Sequence, residues 1–323
     1  MQRQINKNVI PVIFAVNNNY SMPLNVAITS ILKNAASNDF YKIYILYKNK
    51  SLNWLNRNIL KYRTVLEKSC QCDINFIDIS DVNFDNFPHT DDCKHISKET
   101  YFRYIIPSLF KNYNKVLYLD CDITVKTSLK ELYDTDITDY YFAGVEDILE
   151  ESNKARLGLD KYCNAGVMLL NLKKMREDNI EEKLFDYTIN NQDKIVWQDQ
   201  DVMNVVMQDK ILYIPLVWNT QVFDWDSNSK FCEILNSANI IHYVGCIKPW
   251  DIEAKSNLKN VFYEYYNITP ICSRILSITR YSITGFVCSI YKKIKYFRKK
   301  FICYDRKTKN IIIFSRFSFK VDK

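Results

Sequence analysis

Short apolar runs alternate with amphipathic stretches over the first 80 residues. Residues 9–16, V-I-P-V-I-F-A-V, read as a buried strand that runs into the turn-prone Asn17-Asn18-Asn19-Tyr20. Ser21 is placed to cap a helix over 24–33, with Pro23 in its first turn. Residues 43–47 and 74–79 give two further strands, and 54–70 carry a helical pattern between them. Strands alternating with helices predict a doubly wound sheet whose first strands are parallel.

Beyond a loop at 80–95, residues 97–106 read as a helix capped by Ser97, with Arg103 as its one arginine. Residues 115–123, K-V-L-Y-L-D-C-D-I, are an apolar strand that ends in two carboxylates one residue apart. Strands follow at 141–145, at 162–172 after a small-residue turn at Asn164-Ala165-Gly166, at 212–216 and at 240–245. Helices are expected at 179–191 and 202–207, the second opened by Trp197-Gln198-Asp199-Gln200-Asp201, with Asp201 as a local cap or core contact. No GxGxxG follows the first strand, which disfavours a dinucleotide site.

Charge changes this picture at the C-terminus. Of 44 Lys and Arg in the chain, 14 fall in residues 271–323, against two of its 37 acids, so the first 270 residues carry a net −5. A mildly acidic body thus bears a strongly basic tail. Residues 271–301 interleave eight cations with Ile, Phe, Val and Tyr and contain no acid. That pattern fits an anionic membrane surface, and a hairpin is expected within 304–319. A solvated tail, or salt-sensitive nucleic-acid binding, is the competing use of such charge, and it leaves the paired carboxylates without a role. No apolar run approaches the ~20 residues that span a bilayer. The polar start lacks a signal-peptide pattern, so the expected location is cytoplasmic, peripheral on the inner membrane face. Ten cysteines without CxxC spacing argue for free thiols and against a zinc site.

Candidate chemistry gathers at Asp120 and Asp122. In extended backbone, residues i and i+2 face one side, and ligand crevices of open sheets lie past the carboxyl ends of strands. Two adjacent carboxylates suit a divalent cation held through oxygen, with a surface turn as the plainer reading. Arg103 is either a snorkelling helix residue or a cation facing a phosphate. His242 alone, on a strand, reads first as structural.

Taken together, Asp-Cys-Asp at 120–122, Asn-Ala-Gly at 164–166, Gln-Asp-Gln-Asp at 198–201 and His-Tyr-Val-Gly-Cys-Ile-Lys-Pro-Trp at 242–250 resemble glycosyltransferase family 8 over residues 9–250. The nearest resemblance is to bacterial lipopolysaccharide and lipooligosaccharide galactosyl- and glucosyltransferases. It implies an α/β chain of GT-A fold, a Rossmann-like mixed sheet flanked by helices, with residues 1–268 as catalytic domain; the charge pattern adds 269–323 as a basic, membrane-associating extension. It implies a retaining, metal-dependent transfer of galactose or glucose from a UDP-sugar to a surface glycan or glycolipid. Mn²⁺, or Mg²⁺ in its place, would be held by Asp120, Asp122 and His242.

Ala15, Asn17, Asn19 and Tyr20 match the segment that holds uracil and ribose, although Asn17 stands where several relatives carry Asp. Arg103, Cys121, Asn164 and Ala165 match donor-facing positions. Asp199 matches the carboxylate on the sugar hydroxyls, and Gln200 the residue near the reacting face; with Arg103 these form the implied catalytic set. Gly245 and Lys248 match the loop that closes on the diphosphate. The competing function is a catalytically inactive sugar-nucleotide- or glycan-binding protein of the same fold.

Overall fold

The computed structural model describes residues 7–48, 71–89, 97–148, 150–223, 235–251, 253–254 and 258–269, with the backbone alone of 150, 258, 301–305 and 310–314. The helix expected over 54–70 and the amphipathic stretch 271–300 lie outside these residues. The chain divides into units 1–266 and 267–323.

The larger unit is built on a seven-stranded sheet. Its strands are β1 (Asn8–Ala15), β2 (Asp39–Tyr47), β3 (Cys72–Asp78), β4 (Lys115–Leu119), β6 (Phe142–Glu146), β7 (Cys163–Asn171) and β8 (Ile211–Tyr213), in the order β3-β2-β1-β4-β7-β6-β8. β3, β2, β1 and β4 run parallel, β7 is antiparallel to both β4 and β6, and β8 is parallel to β6. Alternation explains its burial on both faces. Ile10, Val12 and Phe14 of β1, with Leu117 and Leu119 of β4, point into one core; Ile13, Val116 and Tyr118 point into the other.

Helix Ser21–Lys33 covers the first face with Leu24, Ala27, Ile28 and Ile31, an i, i+3, i+4, i+7 stripe. Its start differs from the expectation. Ser21 is already helical and its hydroxyl donates to Asn18 O. The side-chain cap is one turn earlier, at Asn17, whose Oδ1 accepts from Asn19 N and Tyr20 N and opens the 3₁₀ turn Asn18–Tyr20 that runs into the helix. The second face is covered by residues from Lys98–Ile105, Ile180–Asn190 and Gln198–Met207. Lys98–Ile105 is 3₁₀, continued by the short helix Ile106–Leu109, and Ser97 makes no side-chain cap.

A second sheet was not legible in the sequence. β5 (Ile123–Val125) leaves the main sheet immediately after the carboxylate pair and joins β10 (Ile240–Tyr243) and β9 (Thr220–Val222) in the order β5-β10-β9. β10 is antiparallel to β5 and parallel to β9, with His242 opposite Ile123 and Gln221. The expected turn at Asn164-Ala165-Gly166 is instead an irregularity inside β7. Against β6 the register jumps, so that Val145 faces Asn164 where regular pairing would give Val167. The smaller unit contains the antiparallel strands β11 (Phe301–Asp305) and β12 (Asn310–Phe314). Among the described residues, no helix is long and apolar enough to cross a membrane.

Candidate active site

A cleft of about 470 Å³ opens at the carboxyl ends of β1 and β4, where a doubly wound sheet reverses its strand order and leaves a crevice. Asp120 and Asp122 sit in the turn between β4 and β5. β5 then pairs with β10 and lifts His242 against them. Imidazole nitrogen and carboxylate oxygens of Asp120, Asp122 and His242 lie within 4.8 Å of one another. His242 Nε2 is 3.5 Å from Asp122 Oδ1 and 3.9 Å from Asp120 Oδ2.

Two oxygens and one nitrogen at this spacing form a donor set suited to Mn²⁺ or a similar divalent ion. The backbone makes room for it at Gly166. A Cβ there would lie 2.2 Å from the His242 ring and 2.9 Å from Asp120 Oδ2. The residues present therefore fit a bound cation.

Lys248 is buried, and its Nζ donates to Asp122 Oδ2 and to Tyr243 O, both at 2.7 Å. Burial alone would raise the Asp122 carboxyl, but Lys248 and His242 overcome it and hold Asp122 well below the usual carboxylate range. Tyr20 packs edge-on to Trp250 at 6.0 Å, and burial beside Asp122 and Asp120 drives its phenol far upward.

Arg103 lies below the other side of the pair, 4% exposed. Nη2 donates to Tyr118 Oη at 3.1 Å and to Asp120 Oδ1 at 3.0 Å, and Nη1 donates to Ala165 O at 2.9 Å. Nη1 is also 2.9 Å from Asp199 Oδ2, an ion pair by distance whose angle makes no hydrogen bond. The guanidinium lies 4.4 Å from the Tyr118 ring centre. Desolvation opposes its charge, yet Asp199, Tyr118 and Asp120 raise its pKa above normal. Burial pushes the Asp199 carboxyl up, opposed by Arg103. Arg103 is thus a fork joining two carboxylates, a geometry Lys cannot supply.

Gln200 has both ends engaged, accepting from Ala165 N at 2.9 Å and donating to Asp147 Oδ2 at 3.2 Å. Cys121 ties the carboxylate turn to β1 by a 3.3 Å bond to Ala15 O. Asn17 lines the cleft, its Nδ2 donating to Ser97 Oγ at 3.1 Å and reaching Glu99 Oε2 at 3.5 Å. Asp201 behaves as expected of a cap: it accepts from Val196 N and Trp197 N, and pairs with Arg156 and Tyr162.

The cleft wall brings together Ala15, Asn17, Tyr20, Arg103, Asp120, Cys121, Asp122, Asn164, Asp199, Gln200, His242, Gly245 and Lys248. Asn19 and Ala165, also nominated from the sequence, are not part of that wall. Ala165 sits behind it, its two backbone groups held by Gln200 and Arg103. Sequence reasoning overlooked Asp147, Glu99 and Asn219, which carried no local signal. Gly166 it placed only as part of the small-residue turn Asn-Ala-Gly.

The profile of the family described as Glycosyl transferase family 8 matches residues 11–254. A putative glycosyltransferase of Haemophilus influenzae is 32% identical over 247 residues, covering 74% of this chain and 72% of that protein. The lipopolysaccharide 1,2-glucosyltransferase of Escherichia coli is 27% identical over 274 residues, covering 81% of this chain and 78% of that one.

Among solved structures, the bifunctional glycosyltransferase WbbM in its apo form is 26% identical with a TM-score of 0.66 over 83% of this chain, which spans about half, 51%, of that protein. The galactosyltransferase LgtC, solved with donor and acceptor sugar analogues, matches with a TM-score of 0.64 over 81% of this chain and 96% of its own. At 24% identity that likeness speaks for the fold, which is GT-A.

Proposed function

The chain belongs to glycosyl transferase family 8, and from that membership we propose that it is a retaining hexosyltransferase. It would move galactose or glucose from a UDP-sugar to a lipopolysaccharide, lipooligosaccharide or other surface glycan. The observation that carries the reading is the meeting of Asp120, Asp122 and His242 within 4.8 Å in one cleft with Arg103 and Asp199. A divalent ion bound there, Mn²⁺ by preference, would supply Lewis-acid neutralisation of the departing diphosphate.

The chain's own residues account for the rest. Lys248 brings an ammonium to the same side, set by its bonds to Asp122 and Tyr243 O, and adds a point charge for phosphate oxygens. Asp199, kept beside Arg103, offers a buried acceptor to sugar hydroxyls. Gln200 lies by the reacting face with both amide ends committed. An amide is a poor nucleophile, so a double displacement through it is disfavoured.

The acceptor hydroxyl therefore attacks the anomeric carbon from the leaving-group side. Its oxygen bonds to that carbon as the bond to the UDP oxygen breaks, and its proton passes to a β-phosphate oxygen of the departing UDP. The test is UDP release across a panel of UDP-sugars, with and without Mn²⁺. Release from UDP-galactose or UDP-glucose only with the ion is expected. Binding without release from any donor would instead support a non-catalytic sugar-nucleotide-binding protein. Trapping a covalent glycosyl adduct on Asp199 would overturn the front-face route.

A further inference from the structure

His242 is not free to choose its tautomer. Asn219 is buried at 0% exposure behind the cleft wall, and its Oδ1 lies 3.0 Å from His242 Nδ1. Groups that can act in only one way fix the polarity of this contact. The Gly166 N–H can only donate, and it meets Asn164 Oδ1 at 3.0 Å. The Asp147 carboxylate accepts from Asn164 Nδ2 at 2.9 Å. Both ends of the Asn164 amide are then assigned.

Asn219 must present its nitrogen to Asn164 Oδ1, at 2.9 Å, which turns its oxygen to the imidazole. An amide oxygen only accepts, so Nδ1 carries a proton. Nε2 is the ring nitrogen left to face Asp120 and Asp122. Asp147 anchors a second branch in the same way, since Ala165 N fixes Gln200 Oε1 and leaves Gln200 Nε2 to donate to the same Asp147 oxygen.

We infer that Asn219 is a positioning residue for the divalent-ion ligand His242. Its amide, oriented through Asn164 by Asp147, holds the ring by its Nδ1–H with Nε2 aimed at the ion. This rests on the proposed metal site. A ligand's outer partner sets its tautomer and basicity, and removing such a partner weakens metal binding about 10- to 100-fold.

The test is an Mn²⁺ titration of the full chain, followed by the electron paramagnetic resonance of the free ion, for wild type, His242→Ala, Asn219→Leu and Asn219→Asp. Leu keeps the bulk and removes the acceptor. Asp keeps an acceptor for Nδ1–H and gives up the donation to Asn164. Asn219→Leu should weaken Mn²⁺ binding about 10- to 100-fold, while Asn219→Asp, which loses the donation to Asn164 but keeps the outer acceptor, should retain more affinity than Asn219→Leu.

Weakening in His242→Ala without weakening in Asn219→Leu overturns the inference. So does equal weakening in the Leu and Asp variants, which would mean a packing role. Unchanged binding in His242→Ala overturns the metal-site reading itself. If far-UV circular dichroism shows that Asn219→Leu does not fold, Asn219→Ala takes its place with the same expected loss.

Discussion

Arg103 shows how much one side chain can carry. Its fork serves Ala165 O, Tyr118, Asp120 and Asp199 while 4% exposed. Arg103→Ala would leave two carboxylates facing each other without their cation, and breaking a buried pair in this way costs about 3–5 kcal/mol. Urea unfolding should show a loss of that size, and a loss below about 1 kcal/mol, the worth of an exposed pair, would mean the network is not coupled.

Asp122 gives a pH signature. Its folded pKa is depressed, so the stability it contributes is present above its unfolded pKa of about 3.9 and is lost as pH falls below it. The stability gap between wild type and Asp122→Asn should therefore shrink as the medium is acidified through about pH 4. A gap that stays constant would show that the Lys248–Asp122 pair does not control the acid limb. The same substitution should abolish Mn²⁺-dependent UDP release with the fold intact by circular dichroism. Full activity would remove Asp122 from the site.

At the scale of elements, β7 and β10 do the placing. The register jump in β7 leaves Ala165 N and O off the ladder to β6, free for Gln200 and Arg103. It also brings Gly166 under the metal ligands. Gly166→Ala puts a methyl 2.2 Å from the His242 ring, with backbone and a buried ring unable to yield cheaply. Such overpacking costs about 1–3 kcal/mol, and Mn²⁺ affinity and turnover should fall together. Wild-type affinity in this variant would show that the ring has room to move.

β10 has the complementary role. A one-residue slip against β5 would turn His242 to the opposite face, so the pairing of Ile123 with His242 sets the third ligand. Part of this was legible. The short apolar runs at 9–16, 43–47 and 115–119 gave β1, β2 and β4 because a strand buried on both faces is apolar at nearly every position. β5 and β9 were missed because three residues are too few to show a period. The 3₁₀ character of Lys98–Ile105 was missed because i, i+3 and i, i+4 patterns hardly differ over eight residues.

For the molecule as a whole, every residue of the proposed site falls within the unit 1–266, whereas 14 of the chain's 44 Lys and Arg fall in residues 271–323. From that division of charge we propose that catalysis and membrane attachment separate. Truncation after Thr269 should leave UDP release in solution intact and abolish sedimentation with anionic liposomes. Each surface-bound cation contributes about 1 kcal/mol on an anionic leaflet, so the loss should be steep and also reproduced by raised salt. Unchanged liposome binding by the truncated chain would assign attachment to the catalytic unit.

By itself the sequence determined the local periodicities that make the strands and helices, the two aspartates at the end of β4, and the ordered motifs that carry the family. These are features of short range, set by backbone geometry and side-chain alternation. The resemblance named His242 as a partner of the carboxylate pair more than a hundred residues earlier; only the tertiary structure decided that β5 turns aside to pair with β10 and so carries it there. It alone decided that Arg103 is bound up by the protein's own carboxylates, that Lys248 pairs with Asp122, and that Asn219, an unremarked residue between Trp218 and Thr220, holds the imidazole. Hydrogen-bond partners and desolvation depend on what folds against a residue from far along the chain, and no local pattern records them.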